Sequence, residues 1–241
     1  MNIRTLSIIM PCFNEEKFVS DALQRVISVL LDWQLEKEII IVNDCSTDET
    51  KLVIERFIAQ HPMEKIKMIT HEKNHGKGAC IRTGLQYSTG DVLIIQDTDL
   101  EYDPAEYNKL LRPIVQGYAD VVYGSRFRGS EAHRVLFFMH TIGNKILTFW
   151  SNLLTGLNLS DMETGYKMFR TDIIRNIRIN ENRFGFEPEI TSKISRIRNI
   201  RIYEVGISYY GRSYDQGKKI KWVDGVRAFY CIFKYNIFSR K

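Results

Sequence analysis

At 241 residues, 44% hydrophobic and 26% charged, the chain can bury a full core as one domain, or as one domain with an appendage, and its composition is that of a soluble enzyme-sized unit. A net charge of +5 is modest, and there is no Pro/Ser-rich linker, low-complexity block or internal repeat. Cys12, Cys45, Cys80 and Cys231 show neither Cys-x-x-Cys pairs nor a disulfide framework, and the five histidines lack HExxH spacing, which argues against zinc and for free thiols in a reducing cytoplasm.

Met1-Asn2-Ile3-Arg4-Thr5 leads at once into a strand, Leu6–Met10, without a signal-peptide pattern. That strand runs into Pro11-Cys12-Phe13-Asn14-Glu15-Glu16 and a helix over 15–31, where Phe18, Ala22, Val26 and Val29 recur at helical spacing. A second strand, Glu38–Val42, runs into Asn43-Asp44. Ser46-Thr47-Asp48-Glu49 then reads as a capping box opening a helix over 48–59. After a short strand at 65–69 comes His75-Gly76-Lys77-Gly78. Gly78 after Lys77 rules out a P-loop, and Ile81 stands where a dinucleotide fingerprint needs its third glycine. A tight turn into a helix over 77–87 is the plain reading, although a backbone that approaches a ligand closely also favours glycine.

The apolar run at 91–96 reads as a buried parallel strand ending in Asp97-Thr98-Asp99. Residues i and i+2 of an extended chain point to one side, so both carboxylates face one way, with Glu101 continuing the alternation if the extension persists. Two or three hard oxygen ligands suit Mg2+ or Mn2+ shared with substrate phosphates. A lone Asp-x-Asp is more often a solvated acidic turn, but here two other strands end in the same way. Asp103-Pro104 opens a further helix over 105–116, followed by a strand at 120–123. Strand and helix in alternation give a parallel sheet that binds ligands at its carboxyl edge, where Glu15, Asp44 and the Asp97–Glu101 group would meet.

The segment 135–160 is the most apolar, but Lys145 interrupts it, and a helix packed on the domain is favoured over a membrane span. From Arg201 to Lys241 there are nine Lys and Arg against three Asp and Glu, a net of +6, while the first 200 residues carry −1. Val223, Val226, Tyr230, Phe233 and Ile237 form an apolar stripe beside Lys219, Arg227, Lys234 and Arg240. A basic amphipathic helix of this kind either lies on an anionic membrane surface or packs on the domain.

Taken in order, Ile8–Glu16, Val42–Asp48, Asn74–Gly78, Asp97–Glu101 and Gly124-Ser125-Arg126-Phe127 resemble family 2 glycosyltransferases. Thr164–Phe169, Phe186–Glu189 and Tyr210–Tyr214 extend the likeness over nearly the whole chain, which is most similar to the synthases of dolichyl- and polyprenyl-phosphate mannose or glucose. The resemblance implies an α/β fold of GT-A type: a Rossmann-like nucleotide-sugar domain over 1–218 with a mostly parallel sheet, and a C-terminal amphipathic helix over 219–241. It implies that Pro11, Phe13, Glu15, Val42 and Asp44 hold base and ribose. Asp97, Thr98 and Asp99 would take the diphosphate, with Asp97, Asp99 and Glu101 on the metal. Glu101 departs from a position often occupied by Gln in dolichyl-phosphate mannose synthases. Arg126 matches a phosphate-contacting arginine, and Arg212 and Lys218 match residues that close over the donor and meet the acceptor phosphate. Asp99, Arg126 and Arg212 are the residues expected to carry catalysis.

The implied reaction is inverting transfer from a nucleotide-sugar, GDP-mannose first and UDP-glucose second, to a polyprenyl phosphate. Partners would be an anionic membrane at its cytoplasmic face and a membrane protein, with no nucleic acid. A phosphate acceptor is already anionic near neutrality and needs no base. The rival within enzymes uses a hydroxyl acceptor and a general base, Glu163 or Glu187. A rival of another class is a non-catalytic nucleotide-sugar-binding subunit.

Overall fold

The structure is a computed structural model describing residues 3–129, 138–211 and 222–239. Seven strands form one sheet: β1 (Thr5–Cys12), β2 (Glu36–Asn43), β3 (Ile66–Thr70), β4 (Val92–Ile95), β5 (Val121–Ser125), β6 (Lys167–Arg170) and β7 (Ile202–Gly206), in the order β3-β2-β1-β4-β6-β5-β7. Pairing is parallel except that β6 runs antiparallel between β4 and β5. The helices are α1 (Val19–Ser28), α2 (Thr50–Gln60), α3 (Lys77–Tyr87), α4 (Tyr107–Val115), α5 (Phe138–Thr155), α6 (Thr171–Arg175), α7 (Phe186–Ile194) and α8 (Trp222–Phe233), the last continuing into a π-helical turn, Lys234–Phe238.

Period-2 alternation sorts the strands onto two cores. Leu6, Ile8 and Met10 of β1 and Val92 and Ile94 of β4 pack with Leu23 of α1, Phe57 of α2 and Leu110 of α4. Ile9, Leu93 and Ile95 face the other way, onto Ile81 of α3, Ile174 of α6, Ile190 of α7 and Ile232 of α8. The interior strands are apolar on both faces because helices cover both sides, giving three layers.

Most expected elements are present with shifted ends, and α3 spans the expected residues. The first helix is shorter than expected, starting at Val19, because Asn14 adopts a left-handed φ of 51° and the chain turns before it. The expected capping box does not form. Glu49 N–H donates to Glu16 at 2.9 Å and Thr50 N–H to Asp48 at 3.0 Å, while the Ser46 hydroxyl donates to Asn43 Oδ1 at 2.6 Å. Asp103 does cap its turn, accepting from Ala105 N–H at 3.0 Å ahead of Pro104.

The boundary expected at residue 218 lies outside the described residues. Helix α8 contributes Ile232 to the second core and seals Ala228, Cys231 and Tyr235. The expected apolar stripe is instead largely its outer side: Val223, Val226 and Tyr230 are each more than half exposed, and only Phe233 turns inward. Lys219 and Arg240 lie outside the described residues. Arg227 and Lys234, expected as basic neighbours of the stripe, are paired with Glu181 at 2.7 and 2.8 Å. No helix among the described residues is long and apolar enough to cross a membrane.

Candidate active site

The connection after β2 moves outward to β3, whereas β4 returns to the other side of β1, so the sheet changes direction between β1 and β4. Strand carboxyl ends flank a crevice at such a point. Thr98 Oγ1 donates to the Pro11 carbonyl across this junction at 3.3 Å. Asn14 ties the loop after β1 to the loop after β2, accepting from Thr47 N–H at 2.8 Å and donating to Thr47 Oγ1 at 3.2 Å. Beside them Pro11 and Phe13 are half-buried, Val42 is enclosed, and Glu15 is buried with its N–H on Thr50 Oγ1 at 2.8 Å.

Asp44 is buried at the end of β2 and holds the turn that opens α3. Its carboxylate accepts from His75 N–H at 2.9 Å, Gly76 N–H at 2.6 Å and His71 Nδ1 at 2.7 Å. Asp44, His71 and Cys80 each bring a ligand atom within 4.8 Å of the others. These atoms already satisfy one another: His71 Nε2 bonds Thr83 Oγ1 at 2.9 Å, and burial followed by the Asp44 charge pushes the Cys80 thiol up, so it stays protonated. The knot fixes the loop.

The glycines of that turn serve close packing against the chain itself. A Cβ on Gly78 would stand 2.2 Å from the Glu181 carbonyl oxygen, and one on Gly76, at φ +95°, would stand 2.6 Å from that of Asn182.

Asp97 and Asp99 are half-buried at the end of β4. The extension does not persist beyond them: Leu100 takes a φ of 62°, and Glu101 leaves the expected alternation. The Glu101 carboxylate accepts from Tyr209 OH at 2.8 Å, and its carbonyl accepts from Tyr210 N–H at 2.9 Å. Glu101 therefore anchors the segment after β7, which leaves Asp97 and Asp99 as the candidate metal ligands of this segment. Two accessible carboxylates two residues apart fit a hard divalent cation.

Sequence reasoning did not find how Asp97 is held. Lys77 reaches from α3 to Asp97 Oδ2 at 2.9 Å and to Glu187 Oε1 of α7 at 3.3 Å. Burial alone would lower the Lys77 pKa, but Asp97 and Glu187 hold it above the ordinary lysine value. Arg126, after β5, is far from a surface ion pair. It makes a fork to the fully buried Asp161 at 2.7 and 2.7 Å, with its guanidinium 5.3 Å from the Tyr209 ring centroid. Arg212 and Lys218 lie outside the described residues.

Compared with known proteins, residues 7–178 match the family described as Glycosyl transferase family 2. A dodecaprenyl-phosphate galacturonate synthase of Rhizobium johnstonii is 22% identical over 88% of this chain and 61% of its own. A dolichol-phosphate mannosyltransferase of Pyrococcus furiosus is 25% identical over 95% and 64%, and a dolichyl-phosphate beta-glucosyltransferase of Trichomonas vaginalis 24% identical over 98% and 74%. The chain thus spans less than two-thirds of the length of the first two. Glucosyl-3-phosphoglycerate synthase from Mycobacterium tuberculosis, solved with Mn2+, UDP and phosphoglyceric acid, superposes with a TM-score of 0.71 at 16% identity, over 97% of this chain and 79% of that one. That likeness establishes the GT-A fold.

Proposed function

Because the chain belongs to glycosyl transferase family 2, we propose that it moves a sugar from a nucleotide-sugar to a polyprenyl phosphate with inversion, GDP-mannose being the first donor to try and UDP-glucose the second. Residues 1–218 are the catalytic domain in this reading, and 219–241 carry the lipid-facing helix. Three relatives named for polyprenyl- or dolichyl-phosphate substrates support the acceptor class.

The observation that carries the lipid part is an exposed apolar band built by two helices. Phe138, Met139, Phe149 and Leu153 of α5 are 60–77% exposed, and Trp222, Val223 and Val226 of α8 are 54–81% exposed. The two helices touch through Trp150, Phe229 and Phe233. Water-exposed apolar groups gathered on adjoining helices mark a contact surface. With the basic balance after residue 200, that surface suits an anionic bilayer at its cytoplasmic face.

In the site, Pro11, Phe13, Glu15, Val42 and the loop fixed by Asp44 line the end for base and ribose. Thr98 and the two aspartates meet the diphosphate, and Lys77 keeps Asp97 in register. Mg2+ or Mn2+ held by Asp97 and Asp99 would offset charge on the leaving diphosphate. Arg126, locked by Asp161, presents a fixed positive charge at the junction of the two substrates, and Arg212 and Lys218 would add charge that offsets their phosphates. The acceptor phosphate attacks as an anion, and no protein base takes part.

The hydroxyl-acceptor reading retains one favourable observation. Burial, and then the Glu187 charge, push Glu163 up to about 8, where a general base works near neutral pH. Assaying the purified chain with a donor panel, a short polyprenyl phosphate and the matching unphosphorylated polyprenol separates these readings. Sugar transfer to the phosphate alone is expected; transfer to the alcohol, or release of nucleotide without any glycosylated lipid, overturns the proposal.

A further inference from the structure

Beneath the crevice lies a buried row of charges. Asp97 pairs with Lys77, Lys77 with Glu187, and Arg126 with Asp161. Lys167, fully buried at the start of β6, donates to the Thr164 carbonyl and stands 5.1 Å over the Tyr123 ring. Glu163 is the exception. The residue is half-buried, yet its Oε1 is sealed from solvent without a hydrogen-bond partner among the described residues. An enclosed carboxyl oxygen left unsatisfied has lost its water and gained nothing in exchange. Such an atom is costly to keep unless a ligand completes it.

The sheet order says which part of a ligand that would be. Base and ribose residues sit at the ends of β2 and β1, and the diphosphate segment at the end of β4; the next strand is β6. Because β6 runs antiparallel to β4, with Ile94 opposite Met168, its first residue lies beside the end of β4. The segment 161–166 leading into β6 therefore forms the far wall of the cleft. Its Gly165 lies against the diphosphate segment so closely that a Cβ there would meet Asp97 Oδ2 at 2.7 Å and Lys77 Nζ at 3.4 Å. Two residues before Glu163, Asp161 pins Arg126. A donor laid along this edge, base first, puts its sugar past the diphosphate, between Asp97 and Arg126, where Glu163 stands.

We infer that the Glu163 carboxyl group binds a hydroxyl of the donor sugar through its unsatisfied Oε1, and so sets which sugar the site accepts. The inference rests on the nucleotide-sugar reading above. Burial, and then the Glu187 charge, hold the Glu163 pKa above the ordinary carboxylate value, which favours its protonated form. In that form it offers a sugar both a donor and an acceptor, a pairing that glutamine reproduces and alanine does not. Burial also pulls the Lys167 pKa down, against the Glu187 and Glu163 charges, so the protonation of the two neighbours is linked.

The test compares, by calorimetry with Mg2+, GDP against GDP-mannose and UDP against UDP-glucose for wild type, Glu163→Gln and Glu163→Ala. Alanine is expected to leave affinity for the free diphosphate within about twofold while weakening the nucleotide-sugar about 5- to 30-fold, and glutamine to restore most of the loss. If the alanine variant does not fold, deoxy-sugar donors on wild type and Glu163→Gln carry the test: removing the contacted hydroxyl weakens wild type and makes the two proteins equal. An unchanged ratio of nucleotide-sugar to diphosphate affinity in a folded alanine variant overturns the inference. So does a thousandfold fall in kcat at unaltered donor affinity, which marks Glu163 as a base. A wild type that binds neither diphosphate overturns the nucleotide-sugar reading along with it.

Discussion

Replacing Glu181 should loosen the C-terminal helix from the rest of the molecule, and the cost follows from its contacts. The Glu181 carboxylate, 6% exposed, accepts from Arg227 Nη2 at 2.7 Å, Lys234 Nζ at 2.8 Å and the Tyr235 hydroxyl at 2.8 Å. The Arg227 and Lys234 side chains are 49% and 31% exposed, so in Glu181→Ala they regain water and each lost pair costs only about 0.5–1 kcal/mol. Tyr235 is buried, and its stranded hydroxyl adds about 1–2 kcal/mol. The expected loss is about 2–4 kcal/mol at pH 7, read by urea unfolding. Burial works to raise the Glu181 pKa, but Lys234, Arg227 and Tyr235 hold it down to about 2, from an ordinary 4.5. With the folded value below the unfolded one, the unfolded chain binds the extra proton between those limits. The stabilisation is therefore complete above pH 4.5 and fades as pH falls through that window. Wild type and variant should converge in stability toward pH 3, while trypsin cleavage after Arg227 accelerates in the variant at pH 7. A difference below about 0.5 kcal/mol at pH 7, or one that does not shrink in acid, refutes this account of how the helix is held.

Asp99→Ala should abolish sugar transfer with an unchanged thermal midpoint, because a half-buried carboxylate at a strand end adds little to the core; near-wild-type turnover by this variant in chelating buffer would falsify metal-assisted chemistry through Asp97 and Asp99. Gly78→Ala drives a methyl group to within 2.2 Å of the Glu181 carbonyl and should cost about 1–3 kcal/mol in a denaturant melt. A variant as stable as wild type would show that the 181–182 backbone yields freely. Phe149→Gln with Val226→Gln should weaken binding to anionic vesicles about fivefold or more in co-sedimentation, at about 0.5–1.5 kcal/mol per side chain, with little change in stability because both are more than half exposed. Equal partitioning of this double variant and wild type would place the membrane contact elsewhere.

The placement of the candidate residues at the sheet edge was legible because it is local. Each strand is a short apolar run, and each ends at once in residues of the candidate site. Asp103-Pro104 could be read as a helix start because cap and capped donor are two residues apart. Readings failed where a distant group intervened. The Ser46 box is pre-empted by Glu16 and Asn43, neither of them inside the four-residue pattern. Glu101 was assigned to the metal on the premise of an extended backbone; Leu100 turns the chain at φ 62°, and Tyr209, 108 positions away, takes the carboxylate. Arg227 and Lys234 look like solvated charge in sequence, because their partner lies 46 and 53 positions away. Strand β6 carried no signal: four residues that begin with Lys167 and end with Arg170 do not resemble the interior of a sheet, and only the fold shows Lys167 buried.

That late, inverted strand also governs how the molecule can be made. Val92–Ile95 forms an almost purely aliphatic strand whose second edge is satisfied only by residues 168–170, and β5 waits for β7 at residues 202–206. During synthesis the amino-terminal half can assemble β3-β2-β1-β4, but it must hold an open, sticky edge until the chain beyond residue 170 leaves the ribosome. Such an edge invites pairing between nascent chains. Slow closure of the sheet centre, rather than weakness of the finished core, should therefore limit the yield of folded protein. Chaperones that shield β4 would raise yield more than substitutions that stabilise the native state.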